Sequence, residues 1–106
     1  MPNNLTNYER DFLERFDTKH IFSEEEIENM FYDLEEYEQK SYDKERWTMP
    51  MTTIFKVGDR FFCVEWEAGL TEYQENSYED QPYEVFPRQE QIVVTRWYTK
   101  DGLLID

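Results

Sequence analysis

In its first third the chain repeats apolar residues at helical spacing; further on the repeat shortens to two, as strands require. Thr6 precedes Glu9 by three positions, the spacing of a capping box, and Tyr8, Phe12, Leu13 and Phe16 then form one stripe. Residues 18–22 read as a connection. Ser23 and Glu26 repeat the capping-box spacing, followed by Ile27, Met30, Phe31, Leu34 and Tyr37 at i, i+3, i+4, i+7 and i+10. This spacing predicts a helix over residues 24–40, with Glu25, Glu28, Tyr32, Glu35 and Glu36 on its outward side.

From residue 51 the side chains become β-branched and aromatic: Thr52, Thr53, Ile54, Phe55 and Val57, then Phe61, Phe62, Cys63, Val64 and Trp66. Gly58-Asp59 between the two runs predicts a β-hairpin with a two-residue turn. Phe62, Val64 and Trp66 alternate onto one face and Glu65 and Glu67 onto the other, where Phe61 and Cys63 add apolar surface. Residues 68–82 read as a long acidic loop, punctuated by Gly69, Asn76, Ser77 and Pro82. A short strand is expected at 83–86 and a longer one at 91–98, through Ile92, Val93, Val94 and Trp97. Lys100-Asp101-Gly102 marks a turn before an apolar tail at 103–105. The expected fold is α+β: two N-terminal helices packed on a three- to four-stranded, mostly antiparallel sheet. It is expected to be a single domain over 1–106, with a helical part at 1–45 and a sheet part at 46–106.

Composition changes this picture in one respect. The 25 Asp and Glu outweigh 11 Lys and Arg, giving a formal charge of -14, which alone would fit a disordered acidic chain. Aromatic residues make up 18% of the sequence, far more than such chains carry, so a folded core with a highly charged surface is expected. This charge opposes direct binding to DNA, RNA or anionic lipid and favours a basic protein partner. No apolar run approaches the roughly 20 residues that cross a bilayer. No secretory signal is visible at the start, and Cys63 is the only cysteine, so a cytoplasmic setting is expected.

Catalytic signatures are missing. One His and one Cys do not make a zinc site, and the three glycines form no phosphate-binding loop. Cys63 alternates with apolar residues in an acidic chain, which points to a buried thiol and not to an activated nucleophile. His20 sits between the helices. No enzyme activity, metal or cofactor is expected.

Two features invite a partner. The outward face of the second helix carries Glu25, Glu28, Glu35 and Glu36 beside Tyr32, negative charges at a spacing comparable with that of phosphates along a strand. Residues 62–87 contain no Lys or Arg, and interleave acids, including Glu72, Glu75, Glu79 and Asp80, with Tyr73, Tyr78 and Tyr83. Carboxylates beside tyrosines suit an Arg- and Lys-rich protein surface. The expected contact residues are therefore Glu25, Glu28, Tyr32, Glu35 and Glu36, with Glu72, Tyr73, Glu75, Tyr78, Glu79 and Asp80 on the loop.

The block Thr52-Thr53-Ile54-Phe55 through Phe62, Glu65-Trp66 and Gly69-Leu70-Thr71-Glu72 resembles small proteins of phages and mobile elements of Gram-positive bacteria. The resemblance continues through Gln74-Glu75-Asn76 and Gln81-Pro82-Tyr83-Glu84-Val85, over roughly residues 47–98, about half the chain. In size, acidity and lack of a catalytic motif the chain is also similar to the anti-CRISPR proteins that mimic DNA. That likeness implies a non-enzymatic inhibitor of a basic, nucleic-acid-binding protein such as a Cas9-like effector, whose PAM site relies on arginines. A monomer or homodimer is expected. The alternative is an accessory protein of phage replication or assembly that acts as a homo-oligomeric interaction module.

Overall fold

The computed structural model describes residues 4–44, 47–72, 74–91 and 93–105. Helix α1 spans Asn7–Asp17 and α2 spans Glu24–Asp33, and each opens on the full capping box expected for it, Thr6 with Glu9 and Ser23 with Glu26. Lys19 turns the chain between them in the left-handed region, φ 67°, where glycine is the usual occupant. Strands β1 (Glu35–Ser41), β2 (Thr48–Val57), β3 (Arg60–Gly69) and β4 (Tyr83–Val85) form one antiparallel sheet in the order β1-β2-β3-β4. Strands β5 (Trp97–Tyr98) and β6 (Leu104–Ile105) pair separately. The fold is α+β, with the helices N-terminal to the long hairpin, as expected.

The β2–β3 hairpin organises the rest. Gly58 holds φ at 66° in the first turn position, which a side chain would strain, and brings Val57 opposite Arg60. Met51, Thr53, Phe55 and Val57 then share one face with Phe62, Val64 and Trp66, and both helices lie on that face. Phe12 and Phe16 of α1 meet Phe62 edge-on at 5.0 and 4.8 Å between ring centroids. Phe31 of α2 meets Phe55 at 4.9 Å and Trp66 at 5.2 Å. Such edge-to-face contacts add to the burial of large rings. The polar residue in this core, Thr53, is satisfied: it accepts from the Trp66 indole at 2.9 Å and donates to Gln39 at 3.0 Å.

Arg60 closes the turn end of the molecule. Its guanidinium binds both oxygens of Asp17, at the end of α1, and both oxygens of Glu84 in β4, at 2.9–3.0 Å, while lying 5.3 Å from the Phe62 ring centroid. Its hydrogen bonds hold the Asp17 and Glu84 carboxyls below their usual range.

Three expectations are corrected. The second helix does not reach residue 40. Leu34 is already extended (φ -107°, ψ 153°), and Glu35 and Glu36 lie in β1. Beyond Tyr37 the helical stripe would meet Glu38 and Ser41, so continued helix has nothing to bury, whereas the strand satisfies the open edge of β2. Residues 35–41 of the expected helical part therefore belong to the sheet. The strand expected at 91–98 shortens to Trp97–Tyr98 and stays outside the main sheet, with Ile92 outside the described residues; β1 takes the place of the missing fourth strand. The short strand expected at 83–86 is present as β4, beside β3.

Phe62→Ala is expected to lower the unfolding free energy by about 3–5 kcal/mol in urea titrations, while Tyr32→Ala, on the exposed side of α2, should stay within about 0.5 kcal/mol. A pH effect follows from Glu26, whose carboxyl is lowered from 4.5 to about 2, chiefly by the Ser23 backbone N–H and then by His20. A value depressed by folding contributes stability that is complete above about 4.5 and lost as pH falls toward about 2. Acid titration should show the stability gap between wild type and Glu26→Gln closing across that window.

Candidate functional site

Two short helices cover one face of the sheet and leave the other open. Alternation places Thr52, Ile54, Lys56, Phe61, Cys63, Glu65 and Glu67 on this helix-free face. Glu38, Lys40 and Tyr42 flank them from the β1 side, and Tyr83 from β4. The face has two halves. Toward the Gly58 turn it is aromatic: Tyr37, at the bulge between Glu36 and Glu38, packs on Phe61 at 4.9 Å between ring centroids. Tyr83 lies opposite Cys63 on the other side and accepts a hydrogen bond from its thiol at 3.3 Å. Toward the other end the face is acidic.

The acidic half contains a groove of about 320 Å³ lined by Tyr42, Pro50, Met51, Thr52, Glu65, Trp66, Glu67 and Asp80. Thr48 donates to Glu67 at 2.7 Å and Tyr83 donates to Glu65, so two of the three carboxylates are held in place. Asp80 reaches the groove because the loop runs back along β3: Ser77 pairs with Glu67 through backbone bonds of 2.8 and 3.0 Å in both directions. The return depends on Gly69. A Cβ there would lie 1.8 Å from the Gln74 carbonyl oxygen, and the Gly69 N–H donates to the Asn76 side chain at 2.8 Å.

Charge on this side is unbalanced for a structural reason. Arg15 is bound by Asp11 and Glu26 between the helices, and Arg60 by Asp17 and Glu84 at the turn. Among the described residues, Glu65, Glu67, Glu72, Glu75, Glu79 and Asp80 have no ion pair, and no Lys or Arg lines the groove. Lys40 stands across Thr52 on β1 without an ion pair of its own. A carboxylate cluster beside the Tyr42 ring can accept a guanidinium or ammonium group through charge-assisted hydrogen bonds and contact with that ring.

The expected contact residues divide into groups. Glu25, Glu28 and Tyr32 are exposed on α2, and Glu72, Glu75, Glu79 and Asp80 are exposed on the loop. The structure draws α2 and part of the loop together: Glu24 accepts from the Tyr78 N–H at 3.2 Å, and Gln81 exchanges two 2.8 Å bonds with the Phe22 backbone. Glu35 and Glu36 are not part of this surface. They start β1 beside Lys56 and Phe55, roughly 17 Å along the sheet from Met51 by strand rise. Tyr78 is no surface anchor but core, 7% exposed, stacked on Trp66 at 5.3 Å and close to Phe31 at 5.2 Å. Burial raises its phenol pKa, with nearby Glu28, Tyr32 and Glu24 adding to the effect. Tyr73 lies outside the described residues. Sequence reasoning missed Glu65, Glu67 and Tyr42 as members of one site. The available signal was the alternation of Glu65 and Glu67 opposite the apolar face, in a chain with only two helices to cover a sheet.

Other candidate chemistry is limited. Cys63 is buried, and desolvation raises its thiol pKa despite the hydrogen bond to Tyr83, which keeps it protonated and weakly nucleophilic. His20 contacts Glu26 at 3.1 Å and stands edge-on to Phe22. Among the described residues no group of three His, Cys, Asp or Glu side chains is placed to hold a metal, and no helix is long and apolar enough to cross a membrane. No protein-family model, curated protein sequence or solved structure matches the chain.

Gly69→Ala is expected to detach residues 70–77 from β3, seen as faster limited proteolysis within the loop with the core transition retained. Asn76→Ala should act in the same direction but more weakly, because it removes one hydrogen bond and introduces no collision.

Proposed function

We propose that the protein is a non-enzymatic inhibitor that binds the cationic, nucleic-acid-binding surface of another protein and excludes its nucleic acid. The supporting observation is the carboxylate groove of Glu65, Glu67 and Asp80, which no Lys or Arg lines among the described residues, while Arg15 and Arg60 are bound by other carboxylates. Basic side chains of the partner enter this groove, and Glu24, Glu25 and Glu28 of α2 with Glu79 of the loop extend the negative field beyond it. A field of one sign accelerates encounter with an oppositely charged surface and repels nucleic acid itself. The resemblance to proteins of phages and mobile elements makes a Cas9-like CRISPR effector the partner of choice, its PAM-reading arginines occupied by carboxylates in place of DNA.

Competition with PAM-containing duplex for a guide-loaded Cas9-like effector tests the reading. Wild-type protein should displace the duplex, and the displacement should weaken as salt rises. The pooled substitutions Glu65→Gln, Glu67→Gln and Asp80→Asn should weaken binding at least about tenfold, or 1.4 kcal/mol, and flatten the salt dependence. Neutralising Glu9, Glu14 and Asp59, away from the groove, should leave binding nearly unchanged. Affinity unaltered by loss of both the groove acids and the α2 and loop acids would end the mimicry proposal.

A further inference from the structure

Residues 86–105 form an arm that takes no part in the core. Among the described residues they run without regular structure from β4 to the β5–β6 ribbon, and none belongs to the buried cluster. The radius of gyration is 19.5 Å, against roughly 13 Å for a compact chain of this size. Phe86, Val94, Trp97, Tyr98, Leu104 and Ile105 are all exposed, Trp97 at 72% and Phe86 at 78%. A two-stranded ribbon by itself is at best marginally stable in water, so these side chains require a surface to pack on.

Charge divides along the same boundary. Residues 1–85 hold 22 Asp and Glu against eight Lys and Arg, and therefore the whole -14; residues 86–106 hold three of each sign. Two bodies of this charge repel, and the arm is an extended segment that can approach a second body without that cost. Arg96 and Lys100 make no ion pair among the described residues. The aromatic half of the helix-free face offers what the arm lacks: Tyr37, 57% exposed, and Tyr83, 44% exposed, with Phe61 and Ile54 between them and Glu35, Glu38 and Glu65 around them.

We infer that the protein forms a homodimer by arm exchange, each arm packing its Trp97–Tyr98 ribbon on the aromatic half of its partner's helix-free face. Arg96 and Lys100 meet the carboxylates that border that patch. The area suffices: three aromatics at roughly 150–250 Å² each, with the aliphatic residues of the arm, approach the ~800 Å² that each partner contributes to a standard interface. This inference does not depend on the identity of any other partner.

Sedimentation velocity and light scattering on the full chain test it. Wild type should be a dimer. Trp97→Asp, in the arm, and Tyr37→Asp, on the face, should each become monomeric while keeping wild-type circular dichroism and a cooperative urea transition that no longer depends on protein concentration, since neither side chain belongs to the core. Mixing the two variants should restore a heterodimer through the one intact arm–face contact. A monomeric wild type would overturn the proposal, with the arm left to a different partner or folded on its own body. A dimer that survives Tyr37→Asp but not Trp97→Asp would replace it with arm–arm pairing.

Discussion

The inner face of the β2–β3 hairpin has to be buried, and among the described residues two short helices are there to bury it. Phe55, Val57, Phe62 and Val64 reach complete burial, and α1 and α2 contribute rings where a longer protein would use whole elements. Phe12, Phe16 and Phe31 each cover a large area from one position, so helices of 11 and 10 residues suffice. The consequence is one-sided coverage. The opposite face of the same hairpin stays open, and its composition of aromatics at one end and carboxylates at the other is free to serve contact with other molecules.

Electrostatics follows from the same geometry. Arg15 joins the two helices through Glu26, and Arg60 joins α1 to β4 through Asp17 and Glu84. Partly exposed pairs of this kind contribute modestly to stability, but they fix where the cations are. With both arginines bound at the helix side and the turn, the carboxylates of the groove and loop make no ion pair among the described residues, Lys40 standing beyond Thr52 on β1. A strong negative field over the loop end of the molecule therefore arises from the placement of a few positive groups as much as from the surplus of acids.

The arm and the body divide the chain's physical character between them. The body is acidic and packed; the arm is neutral, apolar and unpacked. A chain built this way has a complementary surface for each part in a second copy of itself, which is the basis of the exchange inferred above. The groove lies toward the other end of the open face and shares Glu65 with the border of the aromatic patch, so Tyr42, Glu67 and Asp80 are left to a cationic partner when a second copy is bound.

Much of the fold was legible because the signals are local. Each capping box is complete within four residues, and Gly58 supplies the turn conformation that the adjoining runs require. The inward set of Phe62 and Val64 follows from alternation alone, whereas Cys63, on the opposite face, is buried beside Ile54 and Tyr83 of β4. What the sequence could not decide depended on partners distant in the chain. Residues 35–41 have helical periodicity up to Tyr37, yet the unpaired edge of β2, with Phe55 opposite Glu36 and Ile54 opposite Glu38, draws them into a strand. Tyr78 sits in an acidic stretch that reads as surface, but the loop's return along β3 carries it against Trp66 and Phe31. The groove likewise unites Tyr42, Glu65, Glu67 and Asp80, separated by up to 38 positions. Local spacing fixes which way a side chain faces within its own element. Only the pairing of elements, which balances backbone hydrogen bonds and apolar burial across the whole chain, fixes what it faces.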